Sequence, residues 1–116
     1  MMFGIRYKPG DIVLVPVPFT DFSHAKQRPA LVISAESNNI KTEDLVICGI
    51  TSNIKDEDYS IIFEQKDMAE GNIHFLSRIK VNVIFTVRKT IIKKKLGRIN
   101  NTVFGKVKEQ LYKLFS

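Results

Sequence analysis

Arg28 opens one apolar run, Arg28-Pro29-Ala30-Leu31-Val32-Ile33-Ser34, and Thr51-Ser52 closes another, Leu45-Val46-Ile47-Cys48-Gly49-Ile50. A guanidinium stays charged and carries five donors in a planar fork. Fixed at the mouth of a rigid strand, it suits a phosphate. A hydroxyl at a strand end can add one hydrogen bond to the same oxyanion. Plainer readings exist for each: Arg28 in a surface ion pair with Asp21 or Glu57, and Thr51 satisfying the backbone of its own turn. The two gain interest together if their runs are antiparallel neighbours, because the start of one then lies beside the end of the other, at one rim.

Other chemistries find little support. His24 and His74 stand fifty residues apart and no paired-ligand spacing occurs, so no metal site is expected. There is no nucleophile elbow with its glycines and no glycine-rich phosphate loop, and no cofactor is expected. Cys48 is the single cysteine, which excludes an intrachain disulfide and fits a reducing, cytoplasmic setting. Within its apolar run it reads as a buried structural thiol. No apolar stretch approaches the ~20 residues of a membrane span. Met1-Met2-Phe3-Gly4-Ile5 is too short, and too soon followed by Arg6 and Lys8, for a signal peptide.

Several elements would have to position Arg28 and Thr51. The 116 residues suit one domain, 1–116, with a single modest core. Val13, Val15 and Val17 alternate with Ile12, Leu14 and Pro16, a strand apolar on both sides. Pro16 and Pro18 require it to end or reach an edge there. A loop over 19–27 leads to a second strand, Arg28 to Ser34, and an Asn38-Asn39 turn to a third, Leu45 to Thr51. Tyr59 to Phe63 is a short strand, Gly71-Asn72 a turn, and Ile73 to Phe85 one long bent strand or two short ones. Ile91-Ile92 and Leu96 to Ile99 could add a basic edge segment. Asn100 and Asn101 are N-cap candidates for a closing helix along which Val103, Phe104, Val107, Leu111, Leu114 and Phe115 keep helical spacing. Six or so short strands and one C-terminal helix make a mainly β protein, a small and strongly bent β-barrel.

Charge is unevenly laid out. The net charge is +6, but from Arg78 onward eleven lysines and arginines face one acid, Glu109, while between Glu36 and Glu70 nine acids face three lysines. Such polarity predicts one face for a polyanion and another kept from it, or simply a well-solvated surface.

The Gly10-Asp11-led first strand, the Arg-Pro-Ala-Leu-Val-Ile-Ser segment and Ile50-Thr51-Ser52 resemble the MazF/PemK family of bacterial toxin endoribonucleases. The likeness continues through Leu76-Ser77-Arg78-Ile79-Lys80, Phe85-Thr86-Val87 and Leu96-Gly97-Arg98-Ile99 into the last helix. It implies an SH3-like barrel of the CcdB/PemK type and a homodimer that cuts single-stranded RNA without metal. Arg28 and Thr51 match the family's catalytic arginine and threonine. The ribose 2′-hydroxyl would attack the adjacent phosphorus, leaving 2′,3′-cyclic phosphate and 5′-hydroxyl ends, with RNA supplying its own nucleophile. Arg28 would grip the phosphoryl oxygens and could shuttle a proton at the leaving oxygen; Ser52 and His24 are possible support, His24 as a base. Where some members carry an acid, this chain has Ser77. Lys26, Gln27, Ser77, Arg78 and Lys80 are expected on the RNA, and Phe19, Phe22 or Tyr59 could stack bases or fill the barrel. The implied partner is an acidic antitoxin with a disordered tail, and dimerisation is expected to use apolar surface near Phe104 and Leu111. The rival reading is a non-catalytic binding module, either a gyrase-poisoning relative or an RNA- or DNA-binding barrel; an inactivated toxin is a third.

Overall fold

A computed structural model describes residues 5–17 and 26–116. Among them seven strands form one antiparallel sheet: β1 (Asp11–Val17), β2 (Lys26–Val32), β3 (Asp44–Thr51), β4 (Ser60–Phe63), β5 (Met68–Gly71), β6 (Ser77–Arg88) and β7 (Lys94–Ile99). Across the sheet the order is β4-β6-β3-β2-β1-β7-β5. A short helix, α1 (Glu36–Lys41), links β2 to β3, and α2 (Asn101–Leu114) ends the chain.

The chain itself forces the sheet to curl. Its two edge strands, β4 and β5, are separated only by residues 64–67. Laid flat, seven strands would put those edges about 29 Å apart. The five steps from Phe63 to Met68 span at most about 17 Å. The result is a half-barrel, the bent mainly β fold expected, with apolar clusters on both faces. On one, Leu31, Cys48, Phe63 and Ile79 pack beneath Val103 and Val107 of α2. On the other, Val13, Val15, Val32 and Ile47 gather with Tyr7 and Leu45. The two-sided alternation of β1 serves both: Ile12 faces one cluster, Val13 and Val15 the other. Pro16 sits past Leu14, the last residue that β7 pairs with, so β1 becomes an edge where proline requires it.

Polar anchors fix the seams. Asp11 is fully buried and accepts from Lys8 N (2.8 Å) and Arg98 Nε (2.9 Å), with Lys95 Nζ at 3.3 Å. Glu70 reaches Lys95 and Arg98 from β5, each at 3.4 Å. The bond to Asp11 raises the Arg98 pKa above its ordinary value, chiefly by favouring the charged form. The Asn100 side chain accepts from Val103 N at 2.9 Å, the cap expected for α2.

Three expectations need correction. The Asn38-Asn39 turn is α1, and Asn39 is a buried rivet that donates to Tyr7 O and Ser34 O, both at 2.9 Å. The segment ending in Gly71 is strand β5, and β7 is consequently an interior strand instead of an edge. Phe104 and Leu111 are partly buried against the core, and the exposed aromatics here are Tyr112 (79%) on α2 and Phe115 (74%) just past its end.

Candidate active site

Arg28 and Thr51 line the same pocket. In the β2–β3 ladder Ala30 pairs Gly49, and continuing that register two residues sets Arg28 opposite Thr51, at the end of the sheet where β2 begins and β3 stops. The pocket holds about 160 Å³ and is completed by Pro29, Ala30, Lys80, Val83 and Phe85. That is below the ~300–1,000 Å³ of pockets that enclose a small ligand, and suits a site that takes one segment of a polymer from solvent. A larger hollow, about 680 Å³, lies at the far end of β3 beside Tyr7, Lys41 and Lys89, and holds none of the expected site residues.

Lys80 enters this pocket through a break in the ladder. Gly49 pairs Lys80 but its neighbour Cys48 pairs Ile84, so residues 81–83 are extra on β6 and bend it over the pocket. Lys80 then lies across Gly49: a β-carbon at Gly49 would stand 3.2 Å from Lys80 Cε and 3.8 Å from Nζ. Among the described residues that line the pocket are two cations and one hydroxyl, over an apolar floor, with no carboxylate or imidazole. An oxyanion there would meet positive charge on a poorly solvated surface, where electrostatic attraction is strengthened.

Thr51 and its loop are held in place. Thr51 Oγ1 accepts from Asn53 N at 3.1 Å, the local turn bond anticipated as its plainer role. A hydroxyl that accepts still has its own hydrogen to give, so turn-making and pocket-lining coexist. Arg78 secures the loop beyond it, donating to Asn53 O (3.1 Å), Ser60 Oγ (2.8 Å) and Glu57 Oε2 (3.3 Å). Arg78 is only 4% exposed. Three of its five donors pin the 52–59 loop and Ser60 from below, which sets it apart from exposed Lys26, also expected on the RNA.

The remaining residues scatter. Lys26 and Gln27 are exposed at the start of β2; strand alternation puts Lys26 on the face of Arg28 and Gln27 on the other. Ser52 is exposed just past β3 and outside the pocket wall, and Ser77 donates to Phe75 O at 3.1 Å, also outside it. His74 is exposed in the bend before β6. Tyr59 packs on the core, so it fills the barrel. His24, Phe19 and Phe22 lie outside the described residues. Gly49 was missed; a glycine inside an otherwise apolar strand is the signal that marks a close approach.

A search of curated proteins finds no match to this sequence. Solved structures share its fold. A mycobacterial endoribonuclease in complex with its cognate antitoxin superposes with a TM-score of 0.78 at 16% identity, 94% of each chain covered. MazE–MazF from Deinococcus radiodurans gives 0.78 at 19% identity, covering 96% of this chain and 97% of that one. The Mycobacterium tuberculosis toxin MazF-mt6 gives 0.69 at 11% identity, over 89% and 95%. The profile of PemK-like, MazF-like toxins of type II toxin–antitoxin systems matches residues 8–115, nearly the whole length, and the chain belongs to that family.

Proposed function

We propose that the protein is the toxin of a type II toxin–antitoxin pair and a metal-independent, sequence-specific endoribonuclease of the cytoplasm. It cleaves single-stranded RNA, mRNA included, to 2′,3′-cyclic phosphate and 5′-hydroxyl ends. The observation that carries this is the meeting of Arg28 and Thr51, far apart in sequence, in one pocket of a toxin-family chain. The similar structures described as endoribonucleases support it by fold.

In this reaction the 2′-oxygen attacks the adjacent phosphorus and the 5′-oxygen departs. Charge builds on the non-bridging oxygens of a five-coordinate phosphorus. Arg28 grips two of them through its fork, and the Thr51 hydroxyl donates to one. Arg78 acts at one remove, holding the loop beyond Thr51. Lys26 takes the flanking backbone, Lys80 lies in the pocket at the scissile phosphate, and a homodimer would present two such pockets to one strand. An acidic antitoxin with a disordered tail is the partner; two of the similar structures are themselves toxin–antitoxin complexes.

Incubating a long unstructured RNA with the purified protein in EDTA tests this. Discrete fragments ending in cyclic phosphate are expected, and Arg28→Ala should slow their appearance by about 10²–10³, the usual loss for one preorganised donor. Intact but electrophoretically retarded RNA would instead make the protein a non-catalytic binder.

A further inference from the structure

We propose that Lys80 is the general acid of the cleavage, the group that protonates the departing 5′-oxygen, and that Gly49 gives it room to reach. This rests on the endoribonuclease reading and assigns one of its steps. As the 2′-oxygen–phosphorus bond forms, the 2′-hydroxyl proton passes to solvent water. As the phosphorus–5′-oxygen bond breaks, the ammonium proton of Lys80 passes to the leaving oxygen. The neutral amine then regains a proton from solvent, and the balance closes without any co-reactant.

Elimination within the pocket supports the assignment. The described side chains there with exchangeable protons are Arg28, Thr51 and Lys80. A delocalised guanidinium holds its protons more tightly than an ammonium does, so lysine is by chemical type the better proton donor. The hydroxyl of a threonine is a weak acid suited to donating a hydrogen bond. The transfer first expected of Arg28 therefore falls to the better acid beside it.

Geometry points the same way. Lys80 is drawn across the strand at Gly49, close enough that a β-carbon there would press on its Cε and shift the end of the side chain. Most of the other basic residues of β6 and β7 offer a contrast. Arg78, Arg88, Lys95 and Arg98 are each paired to a glutamate or to Asp11. Among the described residues Lys80 takes no carboxylate, so its charge remains for the pocket.

The test is single-turnover cleavage, at saturating protein, of an RNA with one scissile linkage. Its partner is the same RNA with sulfur replacing the bridging 5′-oxygen. Sulfur leaves as thiolate and needs no acid. Lys80→Met should cut the oxygen substrate about 10²–10³ more slowly than the unaltered protein, yet cut the sulfur substrate within about tenfold of it. Gly49→Ala, which keeps the charge and moves it, should show the same selective loss, about tenfold. A Lys80→Met protein equally slow on both substrates overturns the proposal and makes Lys80 an electrostatic anchor. Full activity on the oxygen substrate overturns it too. Should the unaltered protein leave both RNAs whole, the endoribonuclease reading itself falls.

Discussion

Burial decides what individual side chains can do here, and Cys48 shows it most simply. Its thiol is fully buried, and burial pushes its pKa up to about 12, because a thiolate is poorly tolerated away from water. Thiolate is the reactive form. The native protein should therefore resist thiol-specific reagents at about pH 8 and react at once when denatured, as a colorimetric titration would show. Above the ordinary value of 9.0 the unfolded chain ionises while the folded one does not. Stability should thus fall as pH rises from 9 towards about 12, by about 1.4 kcal/mol per unit. A Cys48→Val protein, compared in denaturant melts, should lack that component. The same variable limited what could be read at Arg78. A strand-end arginine and a strand-end threonine were legible from type and position. That a second arginine would be buried was not, since only the folded-back 52–59 loop makes it so.

Among the elements, strands with branched apolar residues were legible and those without were hidden. β5 is Met68-Ala69-Glu70-Gly71, a composition depleted in strands, and it exists because β7 offers it a ladder. Gly71 pairs Gly97, and a β-carbon on Gly97 would strike Glu70 O and come within 2.9 Å of Met68 Cε. Gly97→Ala should therefore force β5 off β7 and destabilise the protein by about 1–3 kcal/mol. Gly105 supplies the contrast, since a β-carbon there meets nothing within 4 Å. Gly105→Ala, within α2, should stabilise by about 0.5–1 kcal/mol. Equilibrium denaturation of both variants checks the pair, and a Gly97→Ala protein as stable as its parent would contradict the packing described. α1 escaped notice for a related reason: asparagines favour turns, and only the contacts of Asn39 to Tyr7 and Ser34 recruit them into a helix.

At the scale of the molecule, charge separated along the chain does not stay separated in space. Antiparallel pairing lays the acidic middle against the basic end: Glu57 meets Arg78, Glu43 meets Arg88, and Glu70 meets both Lys95 and Arg98. The predicted division into a polyanion face and a repelling face is thus narrowed, because the sheet interleaves part of the two segments and pairs four of the eleven cations. RNA affinity should accordingly depend on few cations. With Arg28, Lys26 and Lys80 as the phosphate contacts of one protomer, log K against log salt should slope about −2, where eleven released counterions would give about −8. Fluorescence anisotropy of a labelled RNA across a salt series, using a cleavage-resistant strand, distinguishes these.

The brief turn between β4 and β5 has one more implication. A chain severed there parts into a front piece bearing β1 to β4 and a rear piece bearing β5 to β7 with α2, and each must find its ladder partners in the other. Arg28 and Thr51 travel with the first piece and Lys80 with the second. Neither fragment holds a whole pocket. Complementation of the halves would rebuild one, which makes this fold a natural scaffold for a split toxin armed only by reunion.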